Sequence, residues 1–161
     1  MTMTMRLDDR LLEFLRRPLM CIIAGVDQTG RPSAGRGVGF NVLEDRTTID
    51  LIFSGWQWPR LVSDIRQTGR LAVTFVSPAD YVSFQLKGRA DLSETEVPNA
   101  DHAARFITAA TDELQRLGVA PHVIAPWLTA QGARLARLSI QEIYIQTPGP
   151  HAGMMTGAEV R

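Results

Sequence analysis

The stretch LIFSGWQWPRLVSDIRQTGRLAVTF, residues 51–75, constrains the fold more than any other part of the chain. An apolar, strand-like run ends at Ser54-Gly55, and a helical pattern restarts behind Pro59. Proline has no N–H to lose at the first helical position, and its fixed φ suits that place, so the predicted helix begins near Trp58 to Arg60. It runs to about Gln67 and meets a stop signal at Gly69. A helix N-terminus presents unpaired N–H groups and a partial positive charge, and here a Ser-Gly turn and Arg60 lie beside it. Two readings stand: a cradle for a phosphate, or an ordinary strand-to-helix turn capped by Ser54.

The chain has 161 residues, 45% of them apolar and 21% charged, which suits one domain with a sizeable core. Lys plus Arg balance Asp plus Glu at 17 each, with no basic stripe, so neither nucleic acid nor a membrane surface is expected as a partner. A single small anionic ligand is compatible with that balance. Cys21 is the lone cysteine and sits in an apolar run, so no intrachain disulfide forms and a buried, inert thiol is expected. No apolar run approaches the ~20 residues needed to span a bilayer, and MTMTMRLDDR leads into no secretory h-region, so a cytoplasmic location is expected. His102, His122 and His151 lie far apart without metal-ligand spacing, so no metal site is expected. Gly-x-Ser-x-Gly and Gly-x-Gly-x-x-Gly are both missing, which removes a serine-hydrolase elbow and a dinucleotide fingerprint.

Taken in order, Asp8 or Asp9 caps a short helix in DDRLLEFLRRP, placed across one end of a sheet, with Leu11, Leu12 and Leu15 as its apolar stripe. MCIIAGV and SAGRGVGF read as antiparallel strands joined by the turn-rich residues 27–32. Gly35, Gly37 and Gly39 alternate and so share one face, which implies either a close approach by something flat or by another backbone, or a sharply bent barrel strand. Residues 47–53 and 70–76 read as further strands. In YVSFQLKG, Val82, Phe84 and Leu86 alternate with Tyr81, Ser83, Gln85 and Lys87, so one face feeds a core and the other is either solvated or a ligand wall. ADHAARFITAATDELQRLGV reads as a capped amphipathic helix and residues 123–131 as a second helical segment. ARLARLSIQEIYIQ closes the sheet, and residues 147–161 read as a flexible tail without regular structure of its own. Six strands with short connections predict a mainly β fold with flanking helices, built as a small antiparallel barrel.

These residues resemble the flavin-binding split-barrel family related to pyridoxamine 5'-phosphate oxidase over roughly residues 10–95. TGRPSAGRGVGF is similar to the family's paired first strands, with Arg36 at the place of an arginine that helps bind the flavin phosphate. Phe53, Ser54 and Arg60 match its aromatic-hydroxyl strand end and the basic residue at the helix start, and YVSFQLKG is similar to the strand that faces the isoalloxazine. Asn41 stands where the oxidase has Lys, Pro59 where it has Arg, and Ser83 aligns with the flavin-contacting Gln, with Gln85 two residues on and on the same face. The oxidase's C-terminal substrate segment has no counterpart here.

The resemblance therefore implies a six-stranded antiparallel split barrel that binds FMN, rather than a pyridoxamine phosphate oxidase. It implies a cofactor set of Arg36, Gly37, Val38, Asn41, Phe53, Ser54, Gly55, Arg60, Ser83, Gln85 and Lys87. Arg36, Ser54 and Arg60 fall to the phosphate, and Gln85 or Lys87 to the ring. Two functions follow as expectations: an FMN-dependent oxidoreductase acting with a small-molecule substrate or electron donor, or a noncatalytic protein holding flavin, heme or another phosphate-bearing cofactor. A homodimer with the cofactor at its interface is expected on the same ground, and Trp56 and Trp58, beside the turn, read as cover for a flavin edge, as interface or simply as core packing.

Overall fold

The computed structural model describes residues 3–93 and 101–159. Six antiparallel strands close into a barrel in the order β2-β3-β4-β7-β6-β5. They are β2 Met20–Val26, β3 Pro32–Val42, β4 Thr48–Ser54, β5 Arg70–Val76, β6 Ser83–Leu92 and β7 Ala133–Ile145, with a two-residue strand, β1 Met5–Arg6, ahead of them. Closure satisfies every strand's backbone on both sides and leaves no barrel edge to pair with another chain.

Period-two alternation decides what fills the barrel. Cys21 and Ile23 of β2, Leu71, Val73 and Phe75 of β5, and Phe84, Leu86 and Ala90 of β6 are all buried in one core cluster. Burial pushes the Cys21 thiol well above its ordinary range, which agrees with an inert cysteine. Helix α1, Asp9–Phe14, is capped by Asp8, whose carboxylate accepts from the Leu11 N–H at 2.8 Å. It lays Phe14 edge-on against Phe84, with ring centroids 5.0 Å apart. Helix α2, Pro59–Thr68, ends on Gly69 in the left-handed conformation and closes one barrel mouth. A Cβ on Gly25 would lie 3.1 Å from Leu61 and 3.4 Å from Asp64, so the helix needs a glycine beneath it.

The glycines of β3 do not present one face to a ligand. Gly35 leaves room for Trp58, to whose ring a Cβ would come within 2.6 Å, and Gly37 for Cys21. A bulge between Gly37 and Gly39 then turns Gly39 outward, against the Ala103 backbone of helix α3, Asp101–Arg116. The close approach expected from the sequence exists, but the protein's own rings and backbone make it. Helix α3 covers Val38 and Ile52 on the barrel's outer surface as a second apolar cluster; Ala100, with which the sequence pattern starts this helix, lies outside the described residues.

Two further expectations are corrected. Tyr81 is not in the sixth strand: it has φ 61°, in a turn where its N–H donates to the Ser77 carbonyl, and β6 starts at Ser83 and continues past Gly88 to Leu92. The segment after β7 is not without structure, because it borrows hydrogen-bond partners from that strand. Ile145 N–H donates to Met154 O, Thr156 N–H to Ile143 O, and Ala158–Glu159, strand β8, pairs with β1. Sequence composition reports only what a segment can do alone, whereas here a neighbouring strand supplies the ladder. Residues 160–161 lie outside the described residues. The helical segment expected at 123–131 is two short pieces, α4 Pro121–Ile124 and a 3-10 turn at Ala125–Trp127.

Candidate functional site

Cross-strand register lines up a row of side chains over the barrel's outer face. Arg36 sits opposite Ile22, Ile22 opposite Thr74, Thr74 opposite Gln85, and Gln85 opposite Tyr144. At ~4.8 Å per strand, Arg36 and Gln85 are about 14 Å apart along this row. The next row is Ala34, Ala24, Ala72, Lys87 and Glu142. Small side chains thus lie between polar ends, with Ile22 40% exposed in the middle.

At the first end, Gly37 pairs with Phe53, which makes Arg36 and Ser54 neighbours on β3 and β4. The Arg36 guanidinium stands 5.1 Å over the Trp127 ring and has no carboxylate partner among the described residues. Arg36 and Trp127 also line an apolar hollow of about 220 Å³ with Met20 and Leu114. Ser54 is fully buried; its hydroxyl donates to Gln131 O at 2.6 Å and accepts from Gln57 N–H at 3.0 Å. Gly55 N–H is taken by Gly132 O, and Gln57 Nε2 donates to Pro126 O at 2.7 Å. The turn is therefore latched to residues 126–132.

Ser54 does not cap α2. The N-cap position is Trp58, and no side chain caps the helix, so its N-terminus stays electrostatically open. Two buried polar atoms at this corner, Gln57 Oε1 and Trp58 Nε1, have no partner among the described residues. Arg60 leans toward a different neighbourhood, 4.0 Å from Asp27 and 3.9 Å from Asp64. The Asp27 carboxyl is held below its ordinary range, chiefly by the Thr29 hydroxyl and the Arg31 N–H, with Arg60 a smaller contributor. Asp64 is buried and accepts from the Ser33 hydroxyl.

At the other end, Gln85 is half-buried between Thr74 Oγ1, at 3.2 Å, and Gln146 Nε2, at 3.3 Å. Lys87 lies 4.9 Å over the Tyr144 ring. Tyr144 donates to Glu142 at 2.5 Å, and that bond pushes its phenol above the ordinary range. Ser83 is buried, its N–H received by Thr147 Oγ1.

The structure thus brings Arg36, Ser54 and Gly55 together, and Ser83, Gln85 and Lys87 together, on one outer face. Phe53, Gly37 and Val38 turn their side chains or their Cα hydrogens into packed protein, which leaves only backbone groups to offer a ligand. Asn41 lies opposite Asp50, whose carboxylate holds Arg137 by two bonds of 2.7 and 2.9 Å, and helix α3 crosses β3 between Asn41 and Arg36. Trp56 is 64% exposed beside the turn, while Trp58 packs into the barrel mouth. Trp127, Gln131 and Gln146 were not legible as site residues, because segments with weak periodicity place them. For a phosphate-bearing cofactor the residues fit: an unpaired arginine, an uncapped helix N-terminus and unpartnered buried polar atoms occupy one corner.

A closed six-stranded antiparallel barrel with helices packed outside it is the split-barrel fold. Residues 7–141 match the pyridoxamine 5'-phosphate oxidase family, and the chain belongs to that family. No curated protein matches it. Among solved structures it is similar to HupZ of Group A Streptococcus, at 16% identity and TM-score 0.55, over 91% of this chain and 99% of that one. It is similar to HutZ, the heme storage protein from Vibrio cholerae, at 17% identity and TM-score 0.52, over 88% and 95%. A pyridoxamine 5'-phosphate oxidase-related, FMN-binding protein from Nostoc punctiforme matches at 15% identity and TM-score 0.51, over 94% and 95%. At these identities the likeness is one of fold. No helix among the described residues is long and apolar enough to cross a membrane.

Proposed function

We propose that the protein binds FMN across the outer row and uses it as a flavin-dependent oxidoreductase. The observation that carries this reading is the row itself. It has an unpaired Arg36 beside an open helix N-terminus at one end, a Gln85 amide and a Lys87 ammonium at the other, and small side chains between. Arg36 and the first turn of α2, with Arg60 at its edge, would hold the phosphate, since a cation and helix N–H groups both favour a dianion there. Gln85 and Lys87 would meet the polar edge of the ring. The flavin supplies hydride chemistry when bound; this chain orients it and excludes water from it. The substrate and electron donor are small molecules that reach the same face, and we place a second copy of the chain over Ile22 to cover the rest of it.

A second reading has its own observation. His151 Nδ1 lies 3.4 Å from Met154 Sδ on the segment that returns along β7 toward Tyr144, and imidazole and thioether are ligands of heme iron. This reading makes the protein a noncatalytic holder of heme. The visible spectrum of the purified protein, with added FMN or heme, separates the two. Flavin bands bleached by a nicotinamide nucleotide support the first and a Soret band the second; a colourless protein that takes up neither overturns both.

A further inference from the structure

Beside Lys87 on the outer face, a hollow of about 400 Å³ opens between β2, β5, β6 and β7. Its floor is made of Ala24, Ala72 and Gly88, and its rim carries Arg70, Lys87 and Arg89. The floor is low because of a bulge: between Lys87 and Gly88 the β6–β7 register shifts, and a Cβ on Gly88 would fall onto the Ser139 carbonyl oxygen. Only glycine permits that approach.

The rim is electrostatically unbalanced. Arg70 and Arg89 are directly opposite each other in the β5–β6 ladder, and like charges so placed repel. Arg89 Nη1 donates to the Thr68 carbonyl at 2.6 Å, which fixes its side chain at the rim without neutralising it. Arg70 and Lys87 have no ion-pair partner among the described residues. The one carboxylate on the rim, Glu142, faces Lys87 across the ladder and is engaged by the Tyr144 phenol. Three cations and one carboxylate around a small-residue floor leave the rim net positive, which an anion between the cations relieves.

We propose that this hollow binds a small phosphate-bearing molecule, with Arg70 and Arg89 as its two forks and Lys87 as a third cation. Two guanidinium forks suit the oxygens of a phosphate, and a diphosphate engages both. The site shares Lys87 with the ring end of the outer row but is separate from the Arg36 corner, and it needs no flavin.

Inorganic pyrophosphate is the probe, titrated into the full-length protein and followed by backbone amide NMR. Saturable shifts at Arg70, Leu71, Gly88 and Arg89 are expected, with affinity at least tenfold weaker in Arg70→Gln and weaker again in Arg70→Gln/Arg89→Gln. Arg16→Gln, which removes an equal charge on a side chain 78% exposed elsewhere, should change nothing. Where loss of the Thr68 contact unfolds the double variant, Arg70→Gln alone decides. Shifts centred on Arg36 and Ser54, equal weakening by Arg16→Gln, or no saturable binding would each overturn the proposal.

Discussion

The Trp127 ring lies nearly parallel to that of Trp58, 6.5 Å away at 16°, and its other neighbour is the guanidinium of Arg36 at 5.1 Å. The one arginine on β3 that is unpaired and beside Ser54 is therefore held against an aromatic face instead of a carboxylate. A cation on an aromatic face keeps most of its charge available, since the contact contributes only about 0.5 to 1 kcal/mol at exposed sites.

Arg36→Ala should weaken FMN binding by about 1.5 to 3 kcal/mol, the range of a charge-assisted hydrogen bond. Arg60→Ala should cost less, because Arg60 already divides its charge between Asp27 and Asp64. Fluorescence titration of flavin into both folded variants measures this. Equal affinity for Arg36→Ala and the parent protein would remove Arg36 from the phosphate site.

Ser54→Ala tests the latch. Its hydroxyl serves one donor and one acceptor inside the protein, so truncation leaves Gln57 N–H and Gln131 O unpaired. A loss of about 1 to 3 kcal/mol is expected for such buried groups, read by urea denaturation. A variant as stable as the parent would show that the turn and residues 126–132 are not coupled through this hydroxyl.

These two sites also mark what the sequence could and could not reveal. The helix behind Pro59, its end at Gly69 and the inward Phe84 and Leu86 of β6 were legible because proline, glycine and period-two alternation act locally. Ser54 and Arg36 were legible as a pair only through the family resemblance, since their adjacency comes from β3–β4 register. Three things were not legible. The bulge at Gly37–Gly39 sends one glycine of a regular triplet to the opposite surface; the left-handed Tyr81 ends an alternation that reads as continuous; and the segment after β7 is ordered by folding back on β7 and pairing with β1. Each depends on a partner that no local pattern encodes.

The acid side of the stability profile should report Asp80. Arg17 donates to its carboxylate at 2.7 Å and this bond, with the Val82 N–H, holds it below the ordinary carboxylate range. A carboxyl depressed in the folded state contributes stability that is present above the unfolded value of about 3.9, and is lost as pH falls through the folded value. The carboxyl carbon of Asp80, followed by NMR, should titrate below that ordinary value. In Arg17→Gln it should move up toward it, and an unmoved midpoint would assign the depression to the Val82 N–H and the Ser77 hydroxyl.

The last expectation concerns the outer face between Arg36 and Gln85. Ile22 stands 40% exposed there between Arg36 and Thr74, an apolar strip that water covers poorly in a monomer. A second copy related by a two-fold axis would bury the strip against itself, and such closed dimers are the commonest oligomers. It would also enclose the polar row, so cofactor affinity would depend on protein concentration through the same equilibrium. Sedimentation at micromolar concentration should give about twice the 17.8 kDa chain mass. Ile22→Arg, a change on the surface of the barrel and outside its core, should return the mass to that of one chain and weaken flavin binding, while the melting transition of the monomer persists. A parent protein that sediments as one chain and still binds one FMN per chain would separate the cofactor site from any such interface.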